Sequence, residues 1–273
     1  MRALLLAAGL GTRLRPLTDH LPKCLVPIHG RPLLDYWLET LLDHGVEQVL
    51  INTHYLAPMV QQYLSQSTWL PYITIVHEET LLGTGGTILQ NRDFFNEEAF
   101  LVAHADNLTT FAIQDFASKH ANRPHGSELT MMVFETPDPQ SCGIVELDNQ
   151  CVVQVFHEKV VTPPGNLANA AVYILEPSVI EWMAALGEEQ IDLSTEVIPN
   201  FLGKIFTYNN LLYHRDIGTM ASWIESNYDF SHMPAKARNK IAWTGIVEED
   251  DGHLAQVIKD LLTGTTTIGN YSS

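Results

Sequence analysis

The sequence predicts an α/β protein: a doubly wound, mostly parallel sheet flanked by helices, with a smaller antiparallel portion in its second half. Three observations lead there. Short apolar runs alternate with amphipathic stretches from the N-terminus to about residue 103, the rhythm of βα units. From residue 129 onward four apolar runs crowd together, which favours antiparallel pairing. At 273 residues and 45% hydrophobic content, the chain can bury a large core, as one domain or as one domain with an appendage.

The elements follow in order. Residues 3–7 form an apolar run of buried-strand length. Pro32 and the apolar positions Leu33, Leu34, Trp37, Leu38, Leu41 and Leu42 describe an amphipathic helix stopped by Gly45. Residues 46–51 read as the second strand and 58–65 as a helix. Residues 73–76 and 100–103 are further strands, with a helix after Gly83. The crowded set is 129–134, 144–147, 152–156 and 170–175, and another strand is expected near 211–213. A sheet of this kind places its site at the carboxyl ends of its strands. Residues 234–243, with Lys236, Arg238 and Lys240, and residues 253–262, with Leu254, Val257, Ile258 and Leu261 at helical spacing, predict two short helices. They would pack on the main body or on another subunit. The polar stretch 263–273 is expected to be mobile.

A net charge of −17 argues against nucleic acid or an anionic membrane surface as a partner. No apolar run is long enough to span a bilayer, and residues 1–2 lead straight into a strand rather than a signal peptide, so a cytoplasmic protein is expected. Cys24, Cys142 and Cys151 lack CxxC spacing, which argues against a disulfide framework or a zinc site. Against this acidic background Arg2, Arg13, Arg15 and Lys23 are opposed only by Asp19 over the first 23 residues. Cations gathered beside Gly9 and Gly11 suggest a phosphate site and hence a nucleotide enzyme. On its own, a Gly-x-Gly after a strand can be no more than a turn. The dinucleotide fingerprint needs a glycine where Leu14 stands, and the phosphate-loop pattern is not supplied by Gly11-Thr12-Arg13.

Further candidates lie downstream. Gly83, Gly85 and Gly86 would allow close backbone approach to a flat ring or ribose, beside Glu78 and Glu79. Asp106 and Asp216 follow strands, where such sheets carry function, and two carboxylates suffice for a hard cation that also takes phosphate oxygens. The pair Glu158-Lys159 reads equally as a solvated surface pair, and Asp192 as a helix cap. His54 and His104 lack a ligand partner at useful spacing, and no nucleophile elbow exists, so no covalent intermediate is expected.

Three stretches together, Gly9-Leu10-Gly11-Thr12-Arg13-Leu14-Arg15-Pro16-Leu17-Thr18, Leu21-Pro22-Lys23-Cys24-Leu25-Val26-Pro27 and Arg31-Pro32-Leu33-Leu34, resemble the signature of the sugar-1-phosphate nucleotidylyltransferases, and the likeness extends more loosely to about residue 227. The resemblance implies a Rossmann-like fold with an antiparallel sugar-binding portion, a catalytic domain over residues 1–228 and a helical extension over 229–273. It implies Mg²⁺-dependent transfer of a nucleoside monophosphate from an NTP to a sugar 1-phosphate by direct in-line attack, releasing pyrophosphate. Arg13, Lys23 and Asp106 would be catalytic. Leu6, Ala8, Gly9, Gly11, Thr12, Arg13, Lys23, Glu78, Gly83 and Gly85 would bind the nucleotide. Gly143, Glu158, Lys159 and Asn169 would bind the sugar phosphate, and Asp106 with Asp216 the Mg²⁺. The form Leu82-Gly83-Thr84-Gly85-Gly86 is similar to the guanylyl-transferring members, while Ala105 departs from the glycine usual in the family. Base and sugar stay open. A homodimer is admitted by the resemblance alone. A catalytically silent homologue that binds nucleotide-sugar, and a cytidylyltransferase acting on a non-sugar phosphate, are the alternative readings.

Overall fold

Ala3, Leu4 and Leu5 are fully buried because β1 (Ala3–Leu6) is the central strand of a sheet covered on both faces. The computed structural model describes residues 1–231, 239–248 and 252–263. After β1 come a loop with the short helix α1 (Leu17–His20), a small ribbon of β2 (Pro27–Ile28) and β3 (Arg31–Pro32), and then α2 (Leu33–Leu42). The winding continues with β4 (Val49–Thr53), α3 (Ala57–Ser65), β5 (Ile73–His77), α4 (Gly83–Gln90) and β6 (Phe100–His104). β1 pairs in parallel with β4 on one side and with β6 on the other, and β5 extends the sheet beyond β4. The strand order therefore reverses at β1, which opens a crevice above the strands' carboxyl ends.

β7 (Asn107–Thr109) and α5 (Ile113–Ala121) lead into the second half: β8 (Leu129–Glu135), β9 (Gly143–Leu147), β10 (Val153–Glu158) and β11 (Leu167–Leu175). β11 runs antiparallel to β6 through its C-terminal half and touches β9 at Ala168, while its other edge pairs with β8. The register slips between Asn169 and Tyr173, a bulge that lets one strand serve both halves. α6 (Pro177–Leu186) and α7 (Ile198–Asn200) precede β12 (Ile205–Asn209), which pairs in parallel with β8. β13 (His214–Asp216) forms a separate antiparallel ribbon with β7, followed by α8 (Met220–Asp229), α9 (Lys240–Glu248) and α10 (His253–Thr263). The result is a mostly parallel mixed sheet of nine strands among the described residues, with two small antiparallel ribbons.

Alternation along the strands divides the core. Ala3, Leu5, Val49, Ile51, Leu101 and Ala103 face one cluster with α2, α3, α9 and α10; Leu4, Leu50, Phe100 and Val102 face another with α4 and α6. Trp243, Ile246, Leu254, Val257 and Leu261 join the first cluster, so α9 and α10 pack on the sheet's helical cover.

Several boundaries depart from expectation. The second strand begins at Val49 rather than 46, because Val46 closes the end of α2, its N–H bonding to the Leu41 carbonyl at 3.0 Å. No strand lies at 211–213: Leu211 and Leu212 are 85% and 61% exposed, in a turn where Asn210 Oδ1 accepts from the Leu212 N–H, and the strand is β13. β12 is an additional strand. The first C-terminal helix runs from Lys240 to Glu248 instead of ending at Trp243, and Lys236, Arg238 and the stretch 264–273 lie outside the described residues.

Candidate active site

The four parallel strands end on one cavity of about 250 Å³. Leu6, Ala7, Ala8 and Gly9 enter it from β1, Asn52 from β4, Glu78 from β5, and His104 and Asp106 from β6. Lys23, Cys24, Leu81, Gly83, Thr84 and Thr87 complete the wall. A crevice at the point where strand order reverses is where this sheet geometry predicts a ligand.

Lys23 is the buried cation of this site. It opens a 3₁₀ turn over Lys23–Leu25, fixed by the Val26 N–H to the Lys23 carbonyl at 3.2 Å. Its Nζ donates to Asp106 Oδ2 at 2.5 Å and lies 3.5 Å from Asp216 Oδ1. Burial pulls the ammonium's pKa down, but Asp106 and then Asp216 outweigh it and hold Lys23 above its ordinary value. For Asp106, burial opposes the charge, yet Lys23 and then His104 keep its carboxyl below the usual carboxylate range.

The two aspartates meet through the ribbon rather than through the main sheet. Asp216 pairs with Asn107 across β13 and β7, and the Ile217 N–H donates to the Asp106 carbonyl at 3.1 Å. Gly218 makes this arrangement possible, since a Cβ there would lie 2.5 Å from Asp216 Oδ2. The carboxylates therefore share one cation position with hard oxygen donors, a set that fits Mg²⁺ supplemented by phosphate oxygens. Among the described residues there is no cluster of three or more potential metal ligands.

The glycines divide into two roles. A Cβ on Gly9 would meet nothing within 4 Å, so its backbone is free for close approach to a ligand. Gly11 adopts φ +65°, and a Cβ there would press on Thr18 and, at 3.3 Å, on the Lys23 Cβ, so Gly11 serves the seating of Lys23. Gly83, Gly85 and Gly86 lie in the first turn of α4, the helix expected after Gly83. Gly85 does not line the cavity: its N–H and that of Gly86 donate to the Ile191 carbonyl at 2.8 and 3.1 Å, and added Cβ atoms would strike Ile191 and the Glu189 carbonyl. Helix packing explains those two glycines.

Asn52 was not anticipated from the sequence. Buried at the end of β4, its Oδ1 accepts from the Ala7 N–H at 2.8 Å, and its Nδ2 donates to Glu78 Oε1 at 2.9 Å. Thr87 donates to the same Glu78 oxygen at 2.6 Å. This network ties the β1 loop to β5 and α4. Its sequence signal was a lone amide ending an apolar strand. Glu79 is exposed outside the cavity wall.

Thr12 and Arg13 sit exposed in the 3₁₀ turn Thr12–Leu14 and do not line the cavity, though Arg13 is near enough to act electrostatically on Lys23. Arg15 is exposed and paired with Asp19 at 3.0 Å. Arg2, counted with these cations in the sequence, belongs elsewhere: it donates to the Phe94 carbonyl and lies over the Phe94 ring at the opposite end of β1.

The sugar-phosphate candidates gather on the antiparallel half. Gly143 pairs with Glu158 across β9 and β10, and a Cβ at Gly143 would strike the Phe156 ring and Glu158 Oε2. Asn169 flanks the β11 bulge, donating to the Tyr173 hydroxyl at 2.7 Å. The neighbouring Ala170 carbonyl accepts from Asn107 Nδ2 at 3.0 Å, which joins this group to the aspartates. Lys159 is exposed and 3.3 Å from Glu158. Asp192 caps the turn of Leu193–Val197 through the Ser194 and Thr195 N–H groups, and His54 is spent on the Glu78 carbonyl at 2.7 Å.

Comparison with known proteins agrees with this geometry. The family described as Nucleotidyl transferase matches residues 2–232. The chain is 31% identical over 232 residues to the mannose-1-phosphate guanylyltransferase of Mycobacterium tuberculosis, covering 83% of this chain and 64% of that protein. It is 34% identical over 184 residues to the mannose-1-phosphate guanylyltransferase catalytic subunit beta of Drosophila melanogaster, 66% of this chain and 49% of that one. The chain thus spans about half to just under two thirds of the length of these relatives. HddC from Yersinia pseudotuberculosis, solved in complex with GMP-PN, superimposes with a TM-score of 0.71 at 25% identity over 84% of this chain and 99% of its own. A Bacillus anthracis protein solved in complex with a sucrose shares the fold, with a TM-score of 0.77 at 18% identity, over 88% of this chain and 99% of that one. A sequence match over so much of the chain, on a fold held in common almost end to end, makes this protein a member of the nucleotidyl transferase family.

Proposed function

We propose that the protein transfers a guanylyl group from GTP to a sugar 1-phosphate, giving a GDP-sugar and pyrophosphate. The observation that carries the reading is the convergence of the Gly9 loop, Lys23 and the Asp106–Asp216 pair on one cavity at the switch point of the sheet. The choice of guanine rests on the guanylyltransferase relatives.

In the proposed reaction a phosphate oxygen of the sugar 1-phosphate attacks the α-phosphorus in line. The new P–O bond forms as the bond to the β-phosphate oxygen breaks, and pyrophosphate leaves with that electron pair. Such transfers depend on positioning and charge neutralisation, so no covalent intermediate on the protein is required. The backbone at Gly9 admits the triphosphate, Lys23 and Arg13 neutralise it, and Asn52 and Glu78 fix the wall beside the nucleoside. Glu158 and Asn169 accept and donate hydrogen bonds to the sugar, while Lys159 restrains its phosphate. Asp106 and Asp216 would hold Mg²⁺, whose chemistry when bound is to neutralise charge on the reacting phosphates. We assign residues 1–228 as the catalytic domain and 229–273 as its helical extension. No helix among the described residues is long and apolar enough to cross a membrane, and a cytoplasmic setting fits the proposed substrates.

The test is pyrophosphate release with Mg²⁺ across a matrix of four nucleoside triphosphates and several sugar 1-phosphates. The expected result is one productive GTP pairing, abolished by a chelator. Silence across the matrix with nucleotide-sugar still bound would leave a binding protein in place of an enzyme.

A further inference from the structure

Lys23 reaches both aspartates from a backbone that cannot retreat. The 3₁₀ turn of Lys23–Leu25 fixes its main chain, and Gly11 lies so close behind its Cβ that a side chain there would press on it. Only its side-chain torsions are free, and they place the Nζ against Asp106 Oδ2 and near Asp216 Oδ1, with the side chain 10% exposed. Asp106 and Asp216 have their backbones locked by the β7–β13 ribbon, and Gly218 leaves room for the Asp216 carboxylate. The three groups thus form a preset trap for one cation. An ammonium at 2.5 Å and a divalent ion at its oxygen-ligand distance of roughly 2.0–2.1 Å cannot share the same carboxylate oxygen without strong repulsion.

We propose that Lys23 is an internal competitor for the divalent cation at Asp106 and Asp216, which its ammonium releases only when a triphosphate draws it toward the Gly9 loop. Metal and nucleotide then load the site together, and the nucleotide-free protein discriminates against free divalent ions. The inference rests on the proposed assignment of the aspartate pair to the metal, and it adds a second task to a lysine otherwise placed against phosphate. Arg13, exposed in the 3₁₀ turn that precedes α1, is another cation that acts on Lys23, so an arriving polyphosphate meets two positive groups of which only one must leave an acidic pair.

The test is Mn²⁺ binding to nucleotide-free protein, followed by the loss of the free-ion electron paramagnetic resonance signal. Lys23→Met should bind Mn²⁺ at least tenfold more tightly than the wild type. Lys23→Gln should do the same, which preserves the test if the methionine variant folds poorly. Lys23→Arg, which retains the charge, should show no such gain, and Asp106→Asn added to Lys23→Met should abolish it. Equal or weaker binding in both neutral variants overturns the proposal. Lack of Mn²⁺ binding in every variant overturns it together with the metal assignment, whereas the pyrophosphate assay reports on the reaction independently.

Discussion

At the scale of single residues, the candidate site sets one largely buried ammonium, Lys23, against two carboxylates, of which Asp216 is half exposed. Removing one preset charge from such a transfer commonly costs on the order of 10²–10³ in rate. Lys23→Ala and Asp106→Ala are each expected to lose that much turnover while remaining folded, as circular dichroism checks; near-normal pyrophosphate release from either would remove it from the mechanism. Gly218 gives a finer test of the same idea. Its missing Cβ leaves space for the end of a side chain, Asp216 Oδ2, which can rotate away. Gly218→Ala should therefore fold with little change in stability but weaken productive metal use, raising the Mg²⁺ concentration for half-maximal rate about tenfold. Rates restored by excess Mg²⁺ would support the account, and an unchanged Mg²⁺ requirement would refute it. The motif drew attention to Gly9, Lys23, Asp106 and Asp216 because each is chemically unusual in its setting. It could not separate glycines that admit a ligand from glycines that admit a neighbouring element. Gly85 and Gly86 belong to the second kind, since what they approach lies about a hundred residues away at Glu189 and Ile191.

At the scale of elements, the decisive structure is the two-stranded ribbon, β7 against β13. Apolar patterning marked the main strands, because two-sided burial demands continuous hydrophobic runs. It did not mark the ribbon, whose three-residue strands Asn107–Thr109 and His214–Asp216 are largely polar and owe their pairing to distant sequence. The expectation of a strand at 211–213 followed leucines that prove to be exposed. In the ribbon His214 is half-buried: its Nδ1 is shielded from solvent without a hydrogen-bond partner among the described residues, and its ring lies tilted against Phe134 with the centroids 4.1 Å apart. Burial pushes its pKa down to about 3, with nearby Asp106 opposing. Between pH 6.5 and 3 the unfolded chain takes up a proton that the folded ribbon refuses, so stability falls as pH drops through that window. At pH 5 the loss amounts to about 1–2 kcal/mol. His214→Phe, which keeps an aromatic ring and removes the titration, should lose less melting temperature than the wild type between pH 7.5 and 5. Parallel pH profiles for the two proteins would exclude this origin.

At the scale of the whole molecule, the doubly wound half was legible because its βα rhythm is local, whereas the placement of the C-terminal helices was not. Their apolar faces were visible in the sequence, but a face does not name its partner. The partner is set by a buried polar clamp. Asn239, just before α9, donates through Nδ2 to Asp35 Oδ1 at 3.0 Å and accepts at Oδ1 from the Thr68 N–H at 3.2 Å. Tyr63 of α3 donates to the same Asp35 oxygen at 2.6 Å, and Arg31 Nε lies 3.6 Å from the other. Burial raises the Asp35 pKa, and these donors work against that rise. One amide therefore joins α2, the turn that follows α3, and α9, while α10 reaches α1, the helix between Arg13 and Lys23, where the His20 and His253 rings meet at 5.6 Å. Cutting the clamp should loosen the extension without dissolving the sheet. Asn239→Ala leaves a buried carboxylate short of a donor, a change worth roughly 1–3 kcal/mol. The loss should fall on local opening of α9 and α10 rather than on β1, β4 and β6. Hydrogen exchange on the full chain is the direct measurement. Faster exchange across 240–263, with strand amides at wild-type rates, is the expected pattern. If the strands and the C-terminal helices accelerate together, the extension is one cooperative unit with the catalytic fold, and the assigned boundary at residue 228 has no energetic meaning.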